Sequence, residues 1–220
     1  ISAEPYVHVN WASHIDKETG RPVETDQAEY FTEPKLIFPG PLGGHSWQPM
    51  AYNPDTGFVY IPTMERPFIF NMPKQPFVYQ KGGLNAFATG INPIPGPWGF
   101  DSEQAQGLPP IDVLAAGQPD YTARGFLKAW DPVKQKLVWK TETSDQWVGQ
   151  PFATWNGGGV MTSAGDLVFQ GRATGELVAL DAHTGKELQR VDVGTSMMAA
   201  PMTYSIEGEQ YIAIMAGLGG

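Results

Sequence analysis

Gly159–Leu188 reads GVMTSAGDLVFQGRATGELVALDAHTGKEL. It holds three apolar runs of strand length: Gly159-Val160-Met161-Thr162, Asp166-Leu167-Val168-Phe169-Gln170 and Glu176-Leu177-Val178-Ala179-Leu180. Ser163-Ala164-Gly165-Asp166 and Arg172-Ala173-Thr174-Gly175 separate them, and a glycine-bearing turn between two such runs predicts a hairpin. Asp181-Ala182-His183-Thr184-Gly185 then turns the chain into Glu187-Leu188. The stretch predicts a four-stranded antiparallel meander.

The last of these turns has relatives elsewhere in the chain. Ile15-Asp16-Lys17-Glu18-Thr19-Gly20, Ala51-Tyr52-Asn53-Pro54-Asp55-Thr56-Gly57 and Ala129-Trp130-Asp131-Pro132-Val133-Lys134-Gln135 share the form apolar, Asp or Asn, two variable residues, Thr, Gly. The Asp or Asn side chain can accept from backbone N–H groups two residues on, and Gly supplies a positive φ. Gln135 stands where Gly is expected, so that turn must differ or hold a non-glycine residue in the left-handed region. Strands are predicted after the turns at Phe58-Val59-Tyr60-Ile61 and Leu137-Val138-Trp139. Met202-Thr203-Tyr204-Ser205-Ile206 and Gln210-Tyr211-Ile212-Ala213-Ile214-Met215 flank Glu207-Gly208-Glu209 as a strand–turn–strand unit.

The copies at Asp131 and Asp181 lie 50 residues apart. About 40–50 residues per four-stranded unit is the period of a β-propeller blade. Asn53 and Asp131 are 78 apart, too far for one blade. The surplus, Met64 to Tyr121, is rich in Pro and Gly and is read as a long loop excursion on one rim. Three to four blade-like units are countable, marginal for closing a ring. The expectation is an all-β chain covering about half of a propeller, with 1–220 as one partial domain. The start at Ile1-Ser2-Ala3-Glu4-Pro5, without Met, reads as processed or cut from something longer.

Composition removes other classes. The 220 residues are 41% hydrophobic, enough for a packed core, and carry a net charge of −9. Nucleic-acid binding needs clustered Lys and Arg, and the longest basic grouping is Lys134-Gln135-Lys136. No apolar run approaches the roughly 18 residues of a membrane-spanning helix. Zero Cys excludes disulfides, thiol nucleophiles and thiolate metal sites within this chain.

Two segments stand out as candidate sites. Gly43-Gly44-His45-Ser46-Trp47-Gln48-Pro49-Met50 precedes a strand and sets small residues beside an aromatic one, as a loop approaching a flat ligand would. Gln150-Pro151-Phe152-Ala153-Thr154-Trp155-Asn156-Gly157-Gly158-Gly159 lacks the Lys-Ser/Thr of a phosphate loop. Its glycines allow close backbone approach at a crowded axis, which would turn Trp155 and Asn156 toward a central channel. The alternative is that they only relieve crowding between blades. His8, His14, His45 and His183 show no metal-ligand spacing. Ser46 has no evident base, so a nucleophilic triad is unsupported. Trp139 and Trp130 are read as packing residues between blades.

Trp155-Asn156-Gly157-Gly158-Gly159-Val160-Met161-Thr162-Ser163-Ala164-Gly165-Asp166-Leu167-Val168-Phe169-Gln170-Gly171 runs on through Thr174-Gly175, Ala179-Leu180-Asp181 and Thr184-Gly185-Lys186. With Ala200-Pro201-Met202-Thr203-Tyr204 and Gly217-Leu218-Gly219-Gly220, it resembles the C-terminal blades of the quinoprotein alcohol dehydrogenases, which use pyrroloquinoline quinone (PQQ). Gly43 to Pro62 and Val9-Asn10-Trp11-Ala12 also resemble that family, especially its quinohaemoprotein branch. The repeated Asp…Gly-Lys…Trp form resembles the family's tryptophan-docking motif, with Gln135 and Gln189 as departures.

The resemblance implies an eight-bladed propeller with PQQ and calcium on its axis, in a periplasmic enzyme. It implies that Ser46 and Trp47 take the place of an Asn-Trp pair touching the quinone, Ser having the shorter reach. It matches Trp155 to a Trp near the cofactor and Gly220 to a Gly beside it. The implied chemistry is oxidation of primary alcohols to aldehydes by hydride transfer, with an Asp base and calcium polarising the quinone. The family's catalytic Asp, calcium ligands, cationic residue over the quinone and vicinal disulfide have no match here, and no Cys-x-x-Cys-His haem motif is present. The resemblance therefore implies a chain with no catalytic or metal-ligating residue of its own. Its partners would be the preceding propeller half, an alcohol, and a cytochrome or other electron acceptor, with haem c, where used, in a separate domain. Phe68, Phe70, Phe77, Phe87, Trp98 and Phe100 are candidate apolar walls at the substrate entrance. The competing reading is a non-enzymatic periplasmic propeller scaffold or binding protein.

Overall fold

The computed structural model describes residues 2–72, 76, 78–83, 85, 89–91, 93, 105–149 and 153–217. In chain order the strands are β1 (Ala12–Ile15), β2 (Pro22–Glu24), β3 (Lys35–Ile37), β4 (Ala51–Asn53), β5 (Phe58–Glu65), β6 (Phe68–Asn71), β7 (Thr89–Ile91), β8 (Arg124–Asp131), β9 (Lys136–Glu142), β10 (Gly157–Ser163), β11 (Leu167–Arg172), β12 (Glu176–Asp181), β13 (Glu187–Asp192), β14 (Met202–Ile206) and β15 (Glu209–Ala213). A single-turn helix, α1 (Ile111–Leu114), lies between β7 and β8.

The chain divides into two compact units, Ile1–Gly43 with Glu65–Thr122, and Gly44–Met64 with Ala123–Gly220. In the first, β1 and β2 form a hairpin and β3, β6 and β7 a sheet in the order β3-β6-β7. Leu36, Phe38, Ile69, Ile91 and Ala105 form its core, against which Ile111 and Leu114 of α1 pack. Asn10 clips the edge of this sheet: its Nδ2 donates to Leu36 O at 2.8 Å and its Oδ1 accepts from Phe38 N at 2.9 Å.

The stretch read from sequence as a long loop excursion carries strands β6 and β7 and helix α1. Ile69 and Ile91 are apolar enough to complete a sheet with the distant Leu36, a pairing that Pro and Gly content could not reveal. Phe68 and Phe70 belong to β6. The Arg66 guanidinium lies 4.6 Å from the Phe68 ring centroid, and Phe70 packs beside Tyr30. Phe77, Phe87, Trp98 and Phe100 lie outside the described residues.

The second unit carries the blade architecture. β10-β11-β12-β13 is a consecutive antiparallel meander, and β4-β5-β8-β9 repeats it with residues 66–123 inserted between its second and third strands. The turns at Asp131 and Asp181 therefore occupy the same place, between third and fourth strands, which is why they are one period apart. The Asn53 turn joins first and second strands instead. β14 and β15 pair as a two-stranded hairpin.

All four motif turns close as their residue types dictate. Asp16 Oδ1 accepts from Glu18 N at 2.8 Å, Asn53 Oδ1 from Asp55 N at 2.8 Å, Asp131 Oδ1 from Lys134 N at 2.8 Å and Asp181 Oδ1 from Thr184 N at 2.8 Å. Gly20, Gly57 and Gly185 take φ of 71°, 72° and 71°, and Gln135 follows them at 53°. Gln135 thus adopts the same turn and carries the left-handed strain.

One apolar core runs through both four-stranded sheets: Tyr60, Leu127, Ala129 and Trp139 meet Val160, Val168, Val178, Leu180 and Ala182. Trp139 reaches from one blade to the turn of the next, where its Nε1 donates to Ala182 O at 3.0 Å. Tyr60 Oη donates to the same carbonyl at 3.0 Å, and Thr141 Oγ1 donates to Gly185 O at 2.8 Å. Trp130 does not share this role. It is half-buried and outside that core, because its neighbours Ala129 and Asp131 are the β8 residues that turn inward there. Gln189, where the family form has Trp, is exposed on β13.

Candidate functional site

The first strands of successive blades converge in the second unit. Val160 N donates to Pro49 O at 3.0 Å, and Gly159 N donates to Met198 O at 3.2 Å. These bonds stitch the approach to β4, the start of β10 and the approach to β14 into one inner edge. The glycines make this possible. A Cβ on Gly158 would lie 2.8 Å from Met198 O, and one on Gly159 would lie 2.7 Å from Pro49 Cδ and 2.9 Å from Ala200 Cβ. The glycine run therefore relieves crowding between blades.

Around this edge the candidate residues point outward. Ser46 is exposed, Trp47 is 57% exposed and Trp155 is 37% exposed. The loop before β4 is anchored beneath them. Met64 N donates to Gly44 O, His45 Nδ1 lies 2.8 Å from Pro62 O, and Gln48 is buried. An aromatic ring held this way on an anchored loop has a face that can pack against a flat partner. Gly220 lies outside the described residues.

Asn156 does not face an open channel. It is fully buried; its Nδ2 donates to Thr143 O at 2.7 Å, and its Oδ1 accepts from Thr174 N at 3.0 Å and Thr174 Oγ1 at 3.2 Å. It ties the end of β9 to the β11–β12 turn and so sets the path of the loop that presents Trp155. These bonds use both lone pairs of Oδ1 and one of the two Nδ2 hydrogens. Gln48, which the sequence offered only as part of a loop, is 2% exposed, and its Oε1 is without a hydrogen-bond partner among the described residues. Only the tertiary packing distinguishes it from the exposed Ser46 and Trp47. Among the described residues no group of three or more His, Cys, Asp or Glu could hold a metal ion.

Blades of four antiparallel strands, stitched along their first strands and docked through buried aromatics, define a β-propeller. Residues 14–212 match the family model described as "PQQ: Glucose/ethanol/alcohol dehydrogenase, beta-propeller domain". The chain belongs to this family of PQQ-dependent dehydrogenases. It is 41% identical over its whole length to quinohemoprotein alcohol dehydrogenase ADH IIB of Pseudomonas putida, covering 27% of that protein. It superposes on the crystal structure of quinohemoprotein alcohol dehydrogenase from Comamonas testosteroni with a TM-score of 0.74 at 36% identity, covering 99% of this chain and 28% of that one. Against a europium-containing methanol dehydrogenase the TM-score is 0.70 at 27% identity, covering 96% and 32%. The chain therefore spans just over a quarter of the length of the curated relatives it matches.

Proposed function

We propose that this chain supplies C-terminal blades to a periplasmic, eight-bladed PQQ-dependent alcohol dehydrogenase that oxidises primary alcohols to aldehydes. The observation that carries this reading is the pair Trp47 and Trp155, each exposed on a loop leading into a first strand. A scaffold has no use for exposed indoles at that edge. PQQ is flat and aromatic, and these residues fit one wall of a site for it; when bound, it supplies the hydride acceptor.

In this reading Trp155 would offer an indole face to the cofactor, and Ser46 and Trp47 would help to hold it. The family resemblance adds Gly220 to this set. The buried bonds of Asn156 fix the Trp155 loop before any ligand arrives, so little ordering cost accompanies binding. The catalytic Asp and the calcium ligands belong to residues outside this chain, as does any haem c. A cytochrome or other acceptor would take up the electrons. The Trp139 contact with the Asp181–Gly185 turn is the tryptophan-docking arrangement, and it holds the two blades in register.

The test uses the full-length protein that carries this chain, freed of cofactor. Adding PQQ and calcium should restore dye-linked ethanol oxidation, and Trp155→Ala should weaken PQQ retention about 10-fold or more, as loss of an aromatic stacking contact does. Absence of any PQQ-dependent activity in the wild-type protein would overturn the enzyme reading in favour of a scaffold.

A further inference from the structure

A second feature of the two-blade unit stands apart from the indole-bearing edge. A cavity of about 410 Å³ opens between the end of β9, the β11 terminus and β13. Thr143, Asp145, Asn156, Arg172, Glu187 and Arg190 are among its walls. Arg172 is 4% exposed, and among the described residues its Nη1 has no hydrogen-bond partner. A buried guanidinium N–H with nothing to accept it is costly in a folded chain.

The carboxylates nearby are already engaged elsewhere. Glu187 Oε1 and Oε2 accept from Arg190 Nε at 2.9 Å and Nη2 at 2.8 Å. Arg190 Nη1 also lies 3.6 Å from Glu176 and 3.8 Å from Asp145. Both oxygens of Glu142 accept from Arg124, at 3.0 and 3.1 Å. Arg190 thus gathers three acids at the cavity mouth; Glu187, Glu176 and Asp145 also act on Arg172, but through space, and among the described residues none forms an ion pair with it. Burial, followed by the like charge of Arg190, lowers the Arg172 pKa to about 10. The guanidinium is still charged at neutral pH.

We propose that this cavity binds a small monovalent anion, a halide or a short carboxylate, on the Arg172 guanidinium. The guanidinium fork suits a carboxylate edge or a single compact anion. The acids at the mouth disfavour a polyanion such as phosphate. Arg190 is 43% exposed in its side chain, so the mouth is open to solvent. Among the described residues none of its walls is Ser46, Trp47 or Trp155, although Asn156, which sets the Trp155 loop, is one of them.

The experiment measures thermal unfolding of the full-length protein while sodium chloride, formate or acetate replaces an equal ionic strength of the bulky sulfonate MOPS. The expected result is a saturable rise in Tm of about 2–5 °C. The rise should vanish in Arg172→Gln and shrink in Arg172→Lys. Chloride acting alone assigns the site to a halide, and formate or acetate acting without chloride assigns it to a carboxylate. No rise in the wild type, or an equal rise in Arg172→Gln, overturns the proposal. Should Arg172→Gln fail to fold, calorimetric titration of the same salts into the wild type and Arg172→Lys decides it. Saturable heat weakened by the Lys substitution supports the site, and its absence from the wild type overturns it.

Discussion

Replacing Gly185 by Ala perturbs the joint between the two four-stranded sheets at a single atom. Gly185 sits at φ +71°, and an added Cβ would lie 2.5 Å from Trp139 Cε3, 2.7 Å from Cδ2 and 2.8 Å from Thr141 Oγ1. Two costs follow. Placing a non-glycine residue in the left-handed region costs about 1–2 kcal/mol. Forcing a methyl into the packed indole costs about 1–3 kcal/mol more, because Trp139 is held by its bond to Ala182 O and cannot retreat freely. The expected loss is about 2–5 kcal/mol. Gly57 supplies the control: its φ is +72°, and nothing lies within 4 Å of its added Cβ. Gly57→Ala should show the backbone cost alone, about 1–2 kcal/mol. Urea unfolding of the protein carrying each variant, followed by tryptophan fluorescence, gives the two losses. Equal losses would refute the claim that Trp139 is seated on this glycine. So would a Gly185→Ala penalty undiminished in a Trp139→Ala background, where the indole is gone and only the Thr141 hydroxyl still crowds the added Cβ.

Other expectations follow from the same turns. Gln135→Gly should stabilise by about 0.5–1 kcal/mol in the same unfolding assay, because it relieves the positive φ of 53° without removing a buried side chain. Asp181 is held below the ordinary carboxylate range, first by the Thr184 hydroxyl and then by the Thr184 backbone N–H. A depressed folded-state pKa gives stability that is present above the unfolded value and lost as pH falls through the folded one. The acid limb of the stability–pH curve should therefore steepen below about pH 4, and Asp181→Asn, which keeps an acceptor at that position, should flatten it. An unchanged limb would count against the turn carboxylate as its source. Trp139→Ala should cost about 3–5 kcal/mol of stability. Because Trp139 lies in the buried core between blades, the same change should leave the PQQ affinity of any folded fraction unaltered; a specific loss of affinity would contradict the packing role.

Legibility differed between the frame and the site. The Asp–Thr–Gly turns announced themselves because their bonds are local: an Oδ1 accepting two or three residues on, and a glycine at positive φ, need no distant partner. The 50-residue spacing of Asp131 and Asp181 exposed the blade period for the same reason. The strands inside residues 66–123 were hidden, since Ile69 and Ile91 become strand residues by pairing with each other and with the distant Leu36. Asn156 read as a channel-facing polar residue beside Trp155. Its burial depends on Thr143 and Thr174, whose approach only the fold arranges.

Arg172 marks the boundary between the two kinds of information. In sequence it is one more charged residue opening a hairpin turn, where solvent is the default environment. In the folded chain it is nearly excluded from solvent, beneath a second arginine that has taken the nearby acids. Turn chemistry, strand period and family membership are carried by residues close together in the chain, so sequence alone determined them. Which polar groups are buried, and which of them remain without a partner, depends on how separate strands compete for the same space and the same counter-charges. That competition was decided only in the tertiary structure.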